Sequence, residues 1–300
     1  MIAVDEEAAG MTTCCASCGR AEVDEVKLKI CTTCKLVKYC SVVCQKNHRP
    51  QHEEDCKKRA SEIHDDHLFM SPDESHLGEC PICCLPLPLD LMKSKVNSCC
   101  CKRICGGCSY ANYLREEEQG LEQRCPYCRE LLPETYEEID QNYMERVKAN
   151  DPIAIYTKGV ECYEEGDNEG ALQYYIKAAE LGNMHAHFNL SLLYYKGEGV
   201  EKDMKKYVYH LEEAAIGGHF NARYNLGVNE WNAGRDERAM KHYIIAAKLG
   251  QDDALEIVKQ GFVDGIVNKE YYASALRGHQ AAVDATKSEQ RDAAYAFDNL

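Results

Sequence analysis

Residues 15–56 have the sequence CASCGRAEVDEVKLKICTTCKLVKYCSVVCQKNHRPQHEEDC. Eight of the cysteines and histidines in this stretch fall into four closely spaced pairs: Cys15 and Cys18, Cys31 and Cys34, Cys40 and Cys44, His52 and Cys56. A structural zinc ion takes four tetrahedral nitrogen or sulfur ligands, and one such pair supplies two of them. The eight ligands therefore predict two zinc ions, in a stretch too short to bury an adequate apolar core without metal.

Two neighbouring residues compete for these positions. Cys14 precedes Cys15, but only Cys15 gives the two-residue spacer of its pair, so we assign Cys15. His48 follows the third pair closely, yet His52 gives the four-residue step to the last cysteine. We therefore predict that His48 lies on the surface or supports a ligand from outside the coordination shell.

The order of the four pairs resembles the MYND finger. Tyr39 before the fifth ligand and Gln45 after the sixth also match that family, whereas Arg49 stands where the family often has Trp. The resemblance implies two interleaved zinc sites: Cys15, Cys18, Cys40 and Cys44 in one, and Cys31, Cys34, His52 and Cys56 in the other. It also implies a module that binds proteins, typically short proline-containing peptides.

A second set of cysteines lies between residues 80 and 128. It consists of three pairs with two-residue spacers and one consecutive triplet: Cys80 and Cys83, Cys105 and Cys108, Cys125 and Cys128, and Cys99, Cys100 and Cys101. The set resembles a RING finger in an all-cysteine form. Its cross-bracing would place Cys80, Cys83, Cys105 and Cys108 on one ion, and the last pair with two of the triplet on the other.

The triplet leaves a choice open. Similar sequences favour Cys99 with Cys100, and the commoner one-residue spacer favours Cys99 with Cys101; spacing alone does not decide, and we assign Cys99 and Cys100. Cys84 lies outside the pattern, and we predict that it is a small buried residue. The two modules together are expected to bind about four zinc ions, two in each.

Three further residues match the surface by which RING fingers recruit a ubiquitin-conjugating enzyme. Ile82 lies between the first two ligands, and Pro126 follows the seventh, where the family has its apolar contacts. Arg129 follows the eighth ligand, where ligases carry a cation that positions ubiquitin. The resemblance implies a partner-binding surface formed by these three residues.

The second half of the chain contains an internal repeat. Paired alanines followed by glycine recur at steps of 36 and 32 residues, and a second alanine column repeats beside them: Ala178, Ala214 and Ala246, and Ala154, Ala186, Ala222 and Ala254. A period in this range predicts a solenoid of helical hairpins, here with four units. The pattern resembles Sel-like repeats, relatives of the tetratricopeptide class. A longer loop before Asp203 accounts for the 36-residue step and predicts Asp203 as a helix N-cap.

The predicted fold class is therefore a pair of small, cross-braced zinc-stabilised domains, MYND and RING, followed by an all-α helical-hairpin solenoid. The expected boundaries are an acidic N-terminal tail at 1–13, the MYND finger at 14–56, a linker at 57–79, the RING finger at 80–129, a connecting helix at 130–149, the solenoid at 150–284 and a C-terminal tail at 285–300. The RING and repeat arrangement is similar to a set of proteins from diatoms and related algae.

Composition restricts the functional classes. The formal net charge of −15 makes nucleic acid an unfavourable general partner, because phosphate binding requires clustered cations. No run of about 18 apolar residues and no signal-like N-terminus is present in the sequence, so we expect no membrane span. Nineteen cysteines without a secretory signal indicate zinc ligands in a reducing compartment, cytoplasmic or nuclear.

Two functional hypotheses follow. The first is a zinc-binding protein-interaction adaptor that acts as a RING-type ubiquitin ligase and selects its targets through the solenoid. The second is a non-catalytic zinc-dependent scaffold in protein assembly or transcriptional regulation. We expect no catalytic residue in either case, because four saturated zinc sites leave no open coordination position for water.

Overall fold

The structure is a computed structural model that describes residues 13–23, 27–72 and 75–298. It forms two compact units, Met1–Met70 and Ser71–Leu300. The predicted acidic tail lies outside the described residues except for Thr13. In the part of the chain that is described, no helix is both long and apolar enough to cross a membrane.

The first unit is built around a small sheet and one long helix. Strands β1 (Lys29–Ile30) and β2 (Lys38–Tyr39) pair antiparallel. Helix α1 (Val42–Leu68) begins at Ser41, whose side chain accepts a hydrogen bond from the backbone N–H of Cys44 at 3.2 Å. The sequence placed a linker from residue 57 onward, but α1 continues without a break to Leu68. Charged residues at helical spacing support this extension, as in the exposed ion pair of Lys57 with Glu53 at 2.6 Å.

The second unit begins with a hairpin and a helix, which belong to the second cysteine set. Strand β3 (Ser94–Asn97) pairs antiparallel with β4 (Lys102–Cys105), and helix α2 (Gly106–Glu118) follows directly. Within the described residues ten further α-helices follow: α3 (Tyr136–Lys148), α4 (Pro152–Glu164), α5 (Asn168–Glu180), α6 (Met184–Lys196), α7 (Met204–Ile216), α8 (Phe220–Asn232), α9 (Asp236–Lys248), α10 (Asp252–Val263), α11 (Lys269–Ala285) and α12 (Glu289–Asp298).

Helices α4 to α11 form the solenoid. The alanines of both repeat columns are fully buried, because a methyl group at these positions lets neighbouring helices approach closely. Asp203 caps α7 as predicted, accepting hydrogen bonds from the backbone N–H groups of Lys205 and Lys206 at 2.9 and 3.1 Å. The glycine that ends the second helix of a repeat has a left-handed backbone, with φ of 84° at Gly182 and Gly218.

The connecting helix α3 is fixed to both of its neighbours. Ile139, Tyr143 and Val147 pack in a cluster with Cys101 and Ala154. Tyr136 shares their helical spacing in the sequence but is 88% exposed, because it lies at the first residue of the helix, beyond the packed face.

Hydrogen bonds reinforce this attachment. The guanidinium of Arg146 donates from Nε and Nη2 to the carbonyl oxygen of Cys99 at 3.0 and 2.7 Å. Asn142 Nδ2 lies 3.2 Å from Ser98 Oγ. Helix α3 therefore holds the hairpin of the second cysteine set against the first repeat. The sequence had favoured neither a fixed nor a free arrangement of this helix.

Candidate metal centres

All sixteen predicted ligand residues converge into four groups. The groups are Cys15, Cys18, Cys40 and Cys44; Cys31, Cys34, His52 and Cys56; Cys80, Cys83, Cys105 and Cys108; and Cys99, Cys100, Cys125 and Cys128. Within each group the candidate ligand atoms lie within 4.8 Å of one another. In each module the two groups are interleaved along the sequence: the two pairs of one group lie before and after a pair that belongs to the other group. This is the cross-braced order.

The separations between ligand atoms fit tetrahedral zinc. Four thiolates at a Zn–S distance of about 2.3 Å place their sulfurs about 3.8 Å apart. The sulfurs of Cys83 and Cys105 are 3.8 Å apart, as are those of Cys31 and Cys56. Cys34 Sγ lies 3.2 Å from His52 Nε2, which is closer, as the shorter Zn–N bond requires. The Cys and His clusters therefore fit zinc binding at several sites.

Four of the five Cys-x2-Cys pairs share one backbone form, and the fifth, Cys105 and Cys108, lies at the start of α2. In each of the four, the residue after the second cysteine has a left-handed φ, which is 70° at Gly19, 55° at Lys35, 55° at Cys84 and 66° at Arg129. The N–H of that residue donates to the carbonyl of the first cysteine over 2.8 to 3.0 Å. This turn geometry corrects one prediction: Cys84 is exposed rather than buried, because it lies at the outer corner of the turn.

The same turns favour the thiolate form of the first cysteine. Burial raises the pKa of Cys15, but hydrogen bonds from backbone N–H groups, the strongest from Cys40, outweigh it and lower the pKa to about 6. A similar balance lowers the pKa of Cys31 to about 6 and that of Cys80 to about 7, and also lowers the pKa of Cys125. Because zinc binds the thiolate, each turn prepares one ligand for the metal.

Within the first unit, His48 supports the site without joining it. Its Nδ1 lies 3.0 Å from the hydroxyl of Tyr39, and its ring stacks on that of His52 with centroids 5.6 Å apart. A surface groove beside this site is lined by Tyr39 and His52. Val42, Gln45 and Arg49 also line it. Arg49 therefore stands in the groove where the related fingers often have Trp.

The cysteine triplet separates at the hairpin turn. Cys99 and Cys100 face the last cysteine pair, with 3.4 Å between the sulfurs of Cys99 and Cys128. Cys101 has a φ of 53° and is 1% exposed, and it packs against Tyr143 instead. Burial raises the pKa of Cys101 to about 12, so it remains a neutral thiol.

The three predicted partner-binding residues lie on the first and last turns of the second module. Ile82 is 43% exposed, Pro126 is partly buried, and Arg129 is exposed. Arg129 Nη1 donates to Asn112 Oδ1 at 3.0 Å, and Asn112 Nδ2 donates to the carbonyl of Arg124 at 3.0 Å. Asn112 on α2 thus orders the last turn, a role that no motif or spacing in the sequence indicated.

A cluster of three histidines was not predicted. His76, His185 and His219 bring candidate ligand atoms within 4.8 Å of one another, although they are distant in the sequence. His76 Nδ1 donates to the carbonyl of Gly218 at 3.3 Å, and His219 Nδ1 accepts from the backbone N–H of Ala222 at 3.3 Å. The sequence signal that could have found His219 is its place just before α8, where it serves as the N-cap.

The histidine cluster fits close packing better than metal binding. The rings of His76 and His219 are stacked with centroids 4.1 Å apart, so their in-plane lone pairs run side by side instead of converging. Burial lowers the pKa of His76 to about 3 and that of His185 to about 4, and the Arg103 guanidinium disfavours positive charge at both. Among the residues that the structure describes, no carboxylate contributes to the shifts of His76 and His185. We interpret the cluster as a junction of neutral imidazoles between residue 76 and the solenoid.

Two family models match the chain. The MYND finger matches residues 15–56, and the Sel1 repeat matches residues 154–183, 185–219 and 221–251. The chain thus has a MYND zinc-finger region followed by an all-helical Sel1 repeat solenoid. Both are protein-interaction modules.

Three individual proteins are similar to parts of the chain. HcpC of Helicobacter pylori (strain J99), which carries a provisional beta-lactamase description, is 43% identical over 56 residues, and this match spans 19% of either protein. A Sel1 repeat protein from Oxalobacter formigenes has a TM-score of 0.42 at 23% identity, over 57% of this chain and 71% of that one. The protective antigen c5321 of uropathogenic Escherichia coli, which displays an SLR fold, has a TM-score of 0.40 at 18% identity. That match covers 64% of this chain and 39% of the antigen.

Proposed function

We propose that this protein is a zinc-dependent interaction adaptor whose second cysteine module is a RING finger that recruits a ubiquitin-conjugating enzyme, with targets selected by the solenoid. The sixteen residues of the four clusters are the proposed zinc ligands. Ile82, Pro126 and Arg129 are the proposed contact residues for the conjugating enzyme and its ubiquitin.

The order of elements in the second module supports a RING finger. The pairs Cys80/Cys83 and Cys105/Cys108 enclose the hairpin that carries Cys99 and Cys100, so the two zinc sites are interleaved around β3 and β4. Helix α2 then begins at Gly106 and leads to the last pair. Two interleaved sites with a hairpin and a helix between them are the arrangement expected of this fold.

The observation that carries the proposal is the exposure of Ile82 at the corner of the first turn. A β-branched side chain that is 43% exposed contributes little to the small core, which is formed by Leu87, Ile104 and the cysteines. The turn instead presents Ile82 to solvent, where a partner protein can bury it. The backbone of Arg129 is held in its left-handed turn by a hydrogen bond from its N–H to the Cys125 carbonyl at 3.0 Å.

The remaining modules supply binding surfaces. The groove beside His52 fits a short peptide. Lys57 on its wall is paired with Glu53, and the remaining cations, Lys46 and Arg49, favour acidic side chains in that peptide. A second groove on the solenoid, between α5, α6 and α7, is lined by Tyr194, His210 and other side chains. Helical-hairpin solenoids offer such surfaces to peptides and proteins.

The decisive experiment is ubiquitin discharge from a panel of charged conjugating enzymes by the full, zinc-loaded chain. Ile82→Ala and Arg129→Ala should each slow discharge by about tenfold or more, as expected for central contact residues. Glu118→Ala is the control, because Glu118 lies on α2 of the same module and is exposed. Zinc content should be equal in all four proteins.

A non-catalytic scaffold is the second candidate function. The attachment of α3 to both the second module and the first repeat supports it, because an assembly platform must hold its binding surfaces at a fixed separation. Discharge that is absent across the panel would reject the ligase proposal and leave the scaffold. Discharge that is present and equal in Ile82→Ala would reject Ile82 as a contact residue for the conjugating enzyme.

A further inference from the structure

The last described helix, α12, lies against the second cysteine module. The ring of Phe297 is 4.9 Å from that of Tyr110 on α2, and Lys93 Nζ lies 4.4 Å from the ring centre of Tyr295. The sequence predicted only a C-terminal tail here. The helix instead contacts a module that precedes it by about 180 residues.

Arg291 is the centre of this contact. It is 9% exposed, and its Nη1 donates to the carbonyl of Pro86 at 2.7 Å and to that of Thr286 at 2.7 Å. Its Nη2 donates to the carbonyl of Leu85 at 3.3 Å and to Cys83 Sγ at 3.5 Å. A guanidinium is thus buried beside the first turn of the module and donates directly to a proposed ligand sulfur.

A glycine on α2, Gly107, allows α12 to approach α2 closely. A methyl group added to Gly107 would lie 2.9 Å from the backbone nitrogen of Arg291, closer than real contacts allow. Gly107 lies between the two ligands Cys105 and Cys108, so the close approach occurs at the zinc site itself. The contact therefore depends on a specific residue from each partner element.

The charges at this site are complementary. Zinc with four thiolates carries a net charge of −2, and the donor set of this cluster is four cysteines. Hydrogen bonds to ligand sulfurs from outside the coordination shell stabilise such centres and orient their ligands. Without the thiolates, the guanidinium would be a buried charge with no anionic partner among the described residues, which is unfavourable.

We propose that Arg291 is a positioning residue for the zinc site of Cys80, Cys83, Cys105 and Cys108, and that zinc at this site and the docking of α12 stabilise each other. The coupling is reciprocal by thermodynamic necessity. Loss of this zinc releases α12 and uncovers the side of α2 that carries Tyr110, and loss of α12 weakens this zinc site alone among the four. The proposal does not depend on ligase activity.

The test measures the rate at which the full chain transfers zinc to a colorimetric chelator. The release of each zinc equivalent is followed separately. Arg291→Ala should accelerate the release of one equivalent by about 10–100-fold and leave the other three unchanged. Arg291→Lys should recover part of the loss, because it keeps the charge but not the fork of donors. Arg277→Ala, which removes an exposed arginine from α11, is the control and should release zinc like the unmodified chain.

A second measurement needs no substitution. Partial chelation of the unmodified chain should raise amide hydrogen exchange in residues 289–298 in step with the release of that one equivalent. Unchanged zinc release in Arg291→Ala would overturn the proposal, as would acceleration of all four equivalents together, and so would α12 amides that stay protected after the zinc has left.

Discussion

Acidification should weaken the solenoid through the three-histidine junction. His76 and His185 remain neutral in the folded protein, because burial holds their pKa values near 3 and 4, and burial also lowers the pKa of His219 well below its ordinary value of 6.5. In the unfolded chain the three imidazoles take up protons near pH 6.5. Stability from this source is therefore complete above pH 6.5 and is lost as the pH falls toward the folded values.

The size of the effect follows from these pKa values. Between pH 7.0 and 5.5, each histidine that protonates only on unfolding lowers the free energy of unfolding by about 1.2 kcal/mol, so the three together account for about 4 kcal/mol. The substitution His185→Phe removes the contribution of one histidine, about 1.2 kcal/mol, from this change in the free energy of unfolding. The phenyl ring suits the position, since the His185 ring already contacts Tyr156 with centroids 5.5 Å apart.

The assay is hydrogen exchange at the amides of α6 and α8, corrected for the intrinsic rate at each pH. In His185→Phe, the loss of protection between pH 7.0 and 5.5 should be about eightfold smaller than in the unmodified chain, which corresponds to about 1.2 kcal/mol. His64→Phe is the control, because His64 lies on α1 in the other unit with its side chain 50% exposed. Equal losses in His185→Phe and the unmodified chain would refute the interpretation of a neutral, buried junction.

Two further predictions concern the zinc sites. Complete chelation should unfold residues 14–130 while the solenoid helices stay formed, because the two zinc modules have small cores made largely of their own cysteines. Circular dichroism in which the whole helical signal is lost on chelation would contradict this. Elemental analysis should give about four zinc ions per chain, falling to about three in Cys100→Ala and remaining at four in Cys101→Ala, since Cys101 faces Tyr143. A loss of one zinc ion in Cys101→Ala, with none lost in Cys100→Ala, would place Cys101 in the site.

The repeat half was largely predictable because its signals are local and periodic. Alanine columns at a fixed step specify close helix contacts, and a capping aspartate specifies where a helix begins, so Asp203 was found from sequence alone. Spacing likewise grouped the cysteine pairs. It did not decide the triplet, because that choice depends on which way each side chain points at the β3–β4 turn, a property of the backbone at Cys101.

Contacts between distant segments could not be predicted. Arg291 lies 208 residues from the sulfur to which it donates, and no period or spacing relates the two. The histidine junction likewise joins residues of different helices and loops. The helical continuation of α1 beyond the finger was missed for a different reason: its charged, weakly amphipathic sequence is that of a linker, and only the continuous backbone distinguishes the two.

The rigid attachment of α3 has a consequence for any target held on the solenoid. Arg146 and Tyr143 fix the second cysteine module to the first repeat, so the distance from the turn that carries Ile82 to a bound target cannot vary as it would along a flexible tether. For a fixed geometry the effective concentration of a reacting group is high at one position and near zero elsewhere. Under the ligase function proposed above, ubiquitin delivered at this module would therefore reach a narrow set of lysines, chosen by their position in space and not by the sequence around them.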